Sequence, residues 1–225
     1  MLPQNRRYSG PPQDHINILI INGTSKGQRS NSCFSICISM IRDLSREEAL
    51  LLVRQHVSKE NNVKHMIAVG AAMCSTALRL GQVPTRWELV GILHDIDFEI
   101  CSGIEDHTLK AKEMLSGKIE PELIEAIMAH NHEHTGFQPD NPLKKALIAC
   151  DAASGLVTAC ALVLPTKKLA DVRPESIVKK FGSKDFAKGV SRERIMMCEQ
   201  IGIPRDEFLG VCLAGMRDRA AELGL

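Results

Sequence analysis

Between Ala146 and Thr166 the chain carries a single charge, Asp151, in an otherwise mostly apolar run. Such a run is either a membrane span or the central helix of a helical core. Ser154, Gly155 and Thr158 interrupt it and Pro165 ends it, while Asn141-Pro142 opens the segment with a cap and a first-turn proline. These interruptions favour the core helix, and with it an all-α protein whose other helices pack around this one. Asp151 then needs a partner, because an isolated buried carboxylate is too costly. Lys144 and Lys145 sit almost two turns back along the same helix, so no local partner is obvious.

The rest of the chain supplies helices for that packing. Ser45-Arg-Glu-Glu48 is a capping box ahead of an apolar run. Apolar residues at helical spacing predict a helix over 61–80, with Gly81 as its left-handed cap. His65 lies beside its core stripe, on a face with the small residues Val69, Ala72 and Thr76. Thr85-Arg-Trp-Glu88 predicts a further capping box, and two more helices are expected over 107–115 and 121–131. After residue 166 several short helices are expected, with Pro174 and Pro204 in first turns and Ser183 and Ser191 as caps.

Composition narrows the function. The net charge of +1 and aromatic content of 4% offer no footprint for nucleic acid or for an acidic membrane surface. The eight cysteines form no C-x-x-C pair and mostly sit in apolar helical patterns, which predicts reduced thiols and a cytoplasmic location. The organisation expected is an extension over 1–44, poorly ordered or loosely docked, then a helical domain over 45–165. C-terminal helices over 166–225 are expected on that same domain. The sequence leaves an oligomer open.

His94-Asp95 is the second place where charge meets an apolar approach, at the end of Leu89-Val90-Gly91-Ile92-Leu93. Asp97 and Glu99 follow at once. With His65, His107, His130 and Asp151, these residues lie on or at the ends of different predicted helices. Imidazole and carboxylate without thiolate suit Mn, Fe, Co, Ni, Zn or Mg, as one or two ions. Each residue also has an ordinary structural reading, such as a satisfied core histidine or a solvated helix end, so the set matters only if it converges.

His65, then His94-Asp95, then Asp151 resembles the H…HD…D signature of the HD-domain superfamily of metal-dependent phosphohydrolases. The resemblance covers about residues 45–165. It implies an HD-domain helical bundle with additional C-terminal helices. It also implies a hydrolase that cleaves a small phosphate ester, such as a nucleotide, with metal-activated water. His65, His94, Asp95 and Asp151 would ligate one metal. Asp95, His107 and His130 would hold a second, as in dinuclear members. Asp95, Asp97 and Glu99 are the expected catalytic carboxylates. The H-D-x-x-E variant is absent, because Phe98 stands at its last position, between Asp97 and Glu99. The paired histidines of the cyclic-dinucleotide branch appear here as His130-Asn131. Two alternatives use the same ligands: a di-iron oxygenase of the HD fold, and a non-catalytic metal-bound interaction module.

Overall fold

Asn141 accepts a hydrogen bond from the Lys144 amide at 3.0 Å and so opens the long helix that the sequence centres on. That helix is Pro142–Leu162 in the computed structural model, which describes residues 43–183 and 185–225. Expectations for the first 42 residues lie outside that range. The described helices are α1 (Arg46–His56), α2 (Glu60–Arg79), α3 (Pro84–Leu93), α4 (Leu109–Leu115) and α5 (Pro121–Ala129). They continue as α6 (His132–Thr135), α7 (Pro142–Leu162), α8 (Pro174–Phe181), α9 (Arg192–Met196), α10 (Arg205–Asp218) and α11 (Ala220–Leu223). The protein is all-α, and the described residues contain no strand.

α7 is long and apolar enough to cross a membrane, yet 61% of its most apolar window is buried inside the fold. It packs against α2, α5, α8, α9 and α10. α2 packs in turn on α3 and α10. Most of both helices faces protein, so their polar residues must be paired or aimed at a site.

Two glycines set how closely α2 and α3 approach. A Cβ on Gly91 would lie 2.7 Å from both Cα and N of Gly70 and 2.9 Å from the Val69 carbonyl carbon. The obstruction is backbone, which cannot rotate away as a side chain can. On another side of α2, a Cβ on Gly215 would meet the Ala71 carbonyl and the Ser75 hydroxyl. Gly91→Ala must therefore push α3 off α2. It is expected to cost about 3 kcal/mol, the upper part of the usual range for overpacking, read as a fall in the denaturation midpoint. A midpoint unchanged from wild type would contradict the close approach.

Several boundaries differ from the sequence reading. The Thr85 capping box does not form, since α3 starts at Pro84 behind Val83 with no side-chain cap. Proline needs no amide partner at a first helical position and brings a suitable φ. Glu88, freed from capping, accepts from Arg46 Nε at 2.8 Å and Arg219 Nη2 at 3.2 Å. α4 starts at Leu109, after Thr108 at φ 72, so His107 precedes the helix. α5 ends at Ala129 with His130 as its cap. The capping boxes or caps at Ser45, Asn141 and Ser191 form as the sequence predicts, whereas Ser183 caps no helix.

Candidate metal centre

The six residues expected to be ligands come together from five parts of the chain. His65 comes from the second turn of α2 and His94 caps the end of α3, with Asp95 next to it. His107 is in the turn before α4, His130 caps α5, and Asp151 lies midway along α7. Their nitrogen and oxygen atoms form overlapping groups: His65, His94 and Asp95; His94, His130 and Asp151; and Asp95, His107 and His130. Within each group the ligand atoms all lie within 4.8 Å of one another. These buried groups could hold a metal ion.

The histidine tautomers follow from what each Nδ1 meets. His94 Nδ1 lies 2.8 Å from the Gly91 carbonyl, and His130 Nδ1 lies 2.9 Å from the Ile127 carbonyl. A carbonyl can only accept, so both Nδ1 atoms carry hydrogen and, in the neutral rings, both Nε2 atoms present lone pairs. His107 Nδ1 donates to Asp97 Oδ1 at 2.9 Å, which turns its Nε2 the same way. Such anchors on the far nitrogen are characteristic of metal-binding imidazoles. His94 Nε2 is fully buried and has no hydrogen-bond partner. His107 Nε2 and His130 Nε2 face each other at 3.1 Å. Two lone pairs at that distance repel unless a proton or a metal ion lies with them.

Asp95 stands in the middle. Its Oδ1 is 3.4 Å from His94 Nε2, 3.2 Å from His107 Nε2 and 3.4 Å from His130 Nε2. Its Oδ2 is 3.8 Å from His65 Nε2. Asp151 Oδ1 lies 3.2 Å from His65 Nε2 and 3.9 Å from His94 Nε2. Burial alone would raise the Asp95 carboxyl, but positive charge on His94 and the close Nε2 atoms of His107 and His130 hold it well below the usual carboxylate range. Burial likewise acts against protonated His107, yet Asp95 and Asp97 together push its pKa up to about 9. Without metal, protons do the work of a cation here.

Asp97 and Glu99 make other contacts than those expected of catalytic carboxylates. Asp97 is fully buried behind His107. Besides His107, it accepts from the amides of Thr108 at 2.7 Å and Ala111 at 2.9 Å, and so caps α4 from a distance. Burial would raise its carboxyl; these hydrogen bonds outweigh that and lower it. It holds the His107 ring and the start of α4. Glu99 accepts from Ser58 Oγ and from the amides of Ser58 and Lys59, and from Asn62 Nδ2, at the start of α2. The Ser58 hydroxyl leads the contacts that bring its pKa down to about 2. Both acids sit close to His94 in sequence, but the turns from 94 to 100 send them to different neighbours.

Asp97→Asn is expected to weaken metal binding by about 10- to 100-fold, the usual effect of losing a group that orients a ligand. Asparagine can present an amide hydrogen to His107 Nδ1 and so favour the wrong tautomer. Titration of the metal-free variant with Mn measures this; wild-type affinity would remove Asp97 from the site.

The sequence reading missed two residues. Asn131 Nδ2 donates to the carbonyls of Ile104 at 2.8 Å and His107 at 3.0 Å, which ties the turn bearing His107 to the end of α5. Arg194, on α9, donates from Nη2 to the His130 carbonyl at 2.8 Å and brings Nη1 to 3.6 Å from Asp151 Oδ2. It is the basic partner for Asp151 that α7 itself does not supply. Nothing in the surrounding sequence signals it.

The fold and the cluster together define an all-α protein with buried His/Asp groups able to hold a metal ion. Comparison with family models, curated proteins and solved structures gives no match to the chain.

Proposed function

We propose that the protein is a metal-dependent phosphohydrolase of the HD-domain type, acting on a small phosphate ester. The observation that carries this reading is His94 Nε2, fully buried, aimed at Asp95 and Asp151, and without a hydrogen-bond partner. A buried acceptor left bare in this way costs free energy unless a ligand satisfies it.

His65, His94, Asp95 and Asp151 would hold one divalent ion, and Asp95, His107 and His130 a second. When bound, a divalent ion supplies an acidified water and offsets charge on phosphoryl oxygens. The chain's own residues aim and shield. The Gly91 and Ile127 carbonyls and Asp97 keep hydrogen on Nδ1 of His94, His130 and His107, so their Nε2 atoms stay basic. The His94, His107 and His130 side chains are at most 6% exposed, which closes that side to water. His65 and Asp151, at 33% and 20%, mark the side from which a substrate arrives.

The test is phosphate release from a panel of phosphate esters by protein loaded with Mn, Co, Ni or Mg. The reading requires release that EDTA stops and added metal restores. No release from any ester at full metal occupancy overturns it. The group that joins Asp95 to His107 and His130 leaves room for a second ion, which favours a di-iron oxygenase as the second reading. Oxygen uptake by iron-loaded protein, without phosphate release, would select it. Neither activity at full occupancy would leave a metal-bound interaction module.

A further inference from the structure

His65 forms part of the wall of two separate cavities. One is a cleft of about 220 Å³ that also includes Asp151, Ser191 and Arg194. The other, about 360 Å³, includes Lys64, Asn61, Thr158 and Leu162. Gly155 borders both. The larger cavity falls at the low end of the size range for small-molecule sites. A ligand lying across His65 would therefore reach the candidate metal ligands from the cleft and extend into the larger cavity.

Among the described residues, each cavity wall has one lysine or arginine. Arg194 is anchored by Nη2 on the His130 carbonyl, while its Nη1 stands 3.6 Å from Asp151, beyond hydrogen-bond length. The cleft wall beside it is rigid: Arg192 Nη1 donates to the carbonyls of Ala187 and Val190 at 2.8 Å, and Nη2 to Phe186 at 2.6 Å. Lys64 is half-buried and makes no hydrogen bond or ion pair among the described residues. Its Nζ lies 3.1 Å from where a Cβ on Gly224 would stand, so the ammonium is packed against backbone at the cavity wall. A half-buried cation with no counter-charge among the described residues favours an anionic ligand beside it.

We infer that Arg194 and Lys64 are paired substrate anchors on either side of His65, and that the substrate is a compact phosphomonoester with a second anionic group on its leaving group. This inference rests on the phosphohydrolase reading above. Arg194 presents planar donors to phosphoryl oxygens. Lys64 faces the leaving group, with the Asn61 and Thr158 side chains near it and Leu162 beside them.

The test uses two phosphonates that phosphoester hydrolysis cannot cleave. Methylphosphonate has one anionic head; 3-phosphonopropionate adds a carboxylate. Their binding to Mn-loaded protein is measured by calorimetry, with metal per chain checked in every variant. In wild type, 3-phosphonopropionate should bind at least about tenfold tighter than methylphosphonate, as one new charge-assisted contact implies. Lys64→Met should abolish that preference and leave methylphosphonate unchanged. Arg194→Met should weaken both ligands at least about tenfold, the scale of one lost charge-assisted contact, with Arg194→Lys restoring part of the loss and metal content constant. A preference that is absent in wild type or survives Lys64→Met overturns the Lys64 assignment. Methylphosphonate binding unchanged in Arg194→Met overturns the Arg194 assignment, as does loss of metal in that variant, which would make Arg194 a support of the ligands. Failure of wild type at full metal occupancy to bind either phosphonate overturns the phosphohydrolase reading and this inference with it.

Discussion

On the proposed function, Asp95→Ala is expected to empty the centre of metal and to lower metal-dependent turnover by about a thousandfold or more. That factor is about 4 kcal/mol of lost transition-state stabilisation, in the range a catalytic ion supplies. The expectation follows from position. One oxygen of Asp95 lies 3.2 to 3.4 Å from the Nε2 atoms of His94, His107 and His130, and the other lies 3.8 Å from His65. No other carboxylate among the described residues reaches all four. Without it, Asp151 supplies negative charge only on the side of His65 and His94, and a cation gains little among His107 and His130. Asp95→Asn separates charge from shape, since it keeps the side-chain volume but offers a neutral oxygen; it too should bind metal poorly. Elemental analysis after loading with excess Mn reads both variants. Full metal content in Asp95→Ala would remove Asp95 from the centre and, with it, the bridge between two ions.

Metal-free protein is expected to lose stability as pH rises from about 6.5 to about 9, and bound metal to reverse the trend. The sign follows from His107. Its ordinary pKa of 6.5 is raised to about 9 in the folded state by Asp95 and Asp97, against the opposing effect of burial. A group with a raised folded pKa contributes its full stabilisation below the unfolded value and loses it as pH climbs through the folded one. His94 shifts the same way: burial opposes its charge, but Asp95 more than compensates. Metal requires these imidazoles neutral, so it competes with the protons and displaces them. Loading at pH 7.5 should therefore release protons, and affinity should rise toward pH 9. At a thousandfold excess over Kd the bound ion adds about 4 kcal/mol to stability. Denaturation midpoints with Mn and with EDTA across pH 6 to 9.5 measure the crossing. Parallel curves would mean that proton and metal do not share the site.

How far this was legible in the sequence depends on the kind of signal each residue left. His65, His94, Asp95 and Asp151 could be found because each puts a polar group into an apolar helical pattern, where it must be satisfied. The central place of α7 could be read from its length and single charge. Asp97 and Glu99 were harder, because closeness to His94 in sequence does not fix direction once the helix has given way to successive turns. Asp97 points back to cap α4 and hold His107, while Glu99 binds the Ser58 and Lys59 amides ahead of α2. Thr85 showed a capping pattern, but Pro84 opens the helix first. Arg194 meets Asp151 only through the folding of the C-terminal segment onto α7, and an arginine in a polar stretch carries no mark of that meeting.

The contact between Gly70 and Gly91 bears on how such a scaffold can change over generations. His65 lies on α2 just over a turn before Gly70, and His94 lies three residues after Gly91; their rings sit 5.2 Å apart. The two helices meet backbone to backbone, and no residue is smaller than glycine. Drift at the contact can therefore only push the helices apart and pull these ligands out of range. Variation has more freedom at the rim, where Lys64 and Arg194 are partly exposed. A lineage built on this fold would change what it binds by exchanging rim residues while the spacing of its innermost histidines stayed fixed.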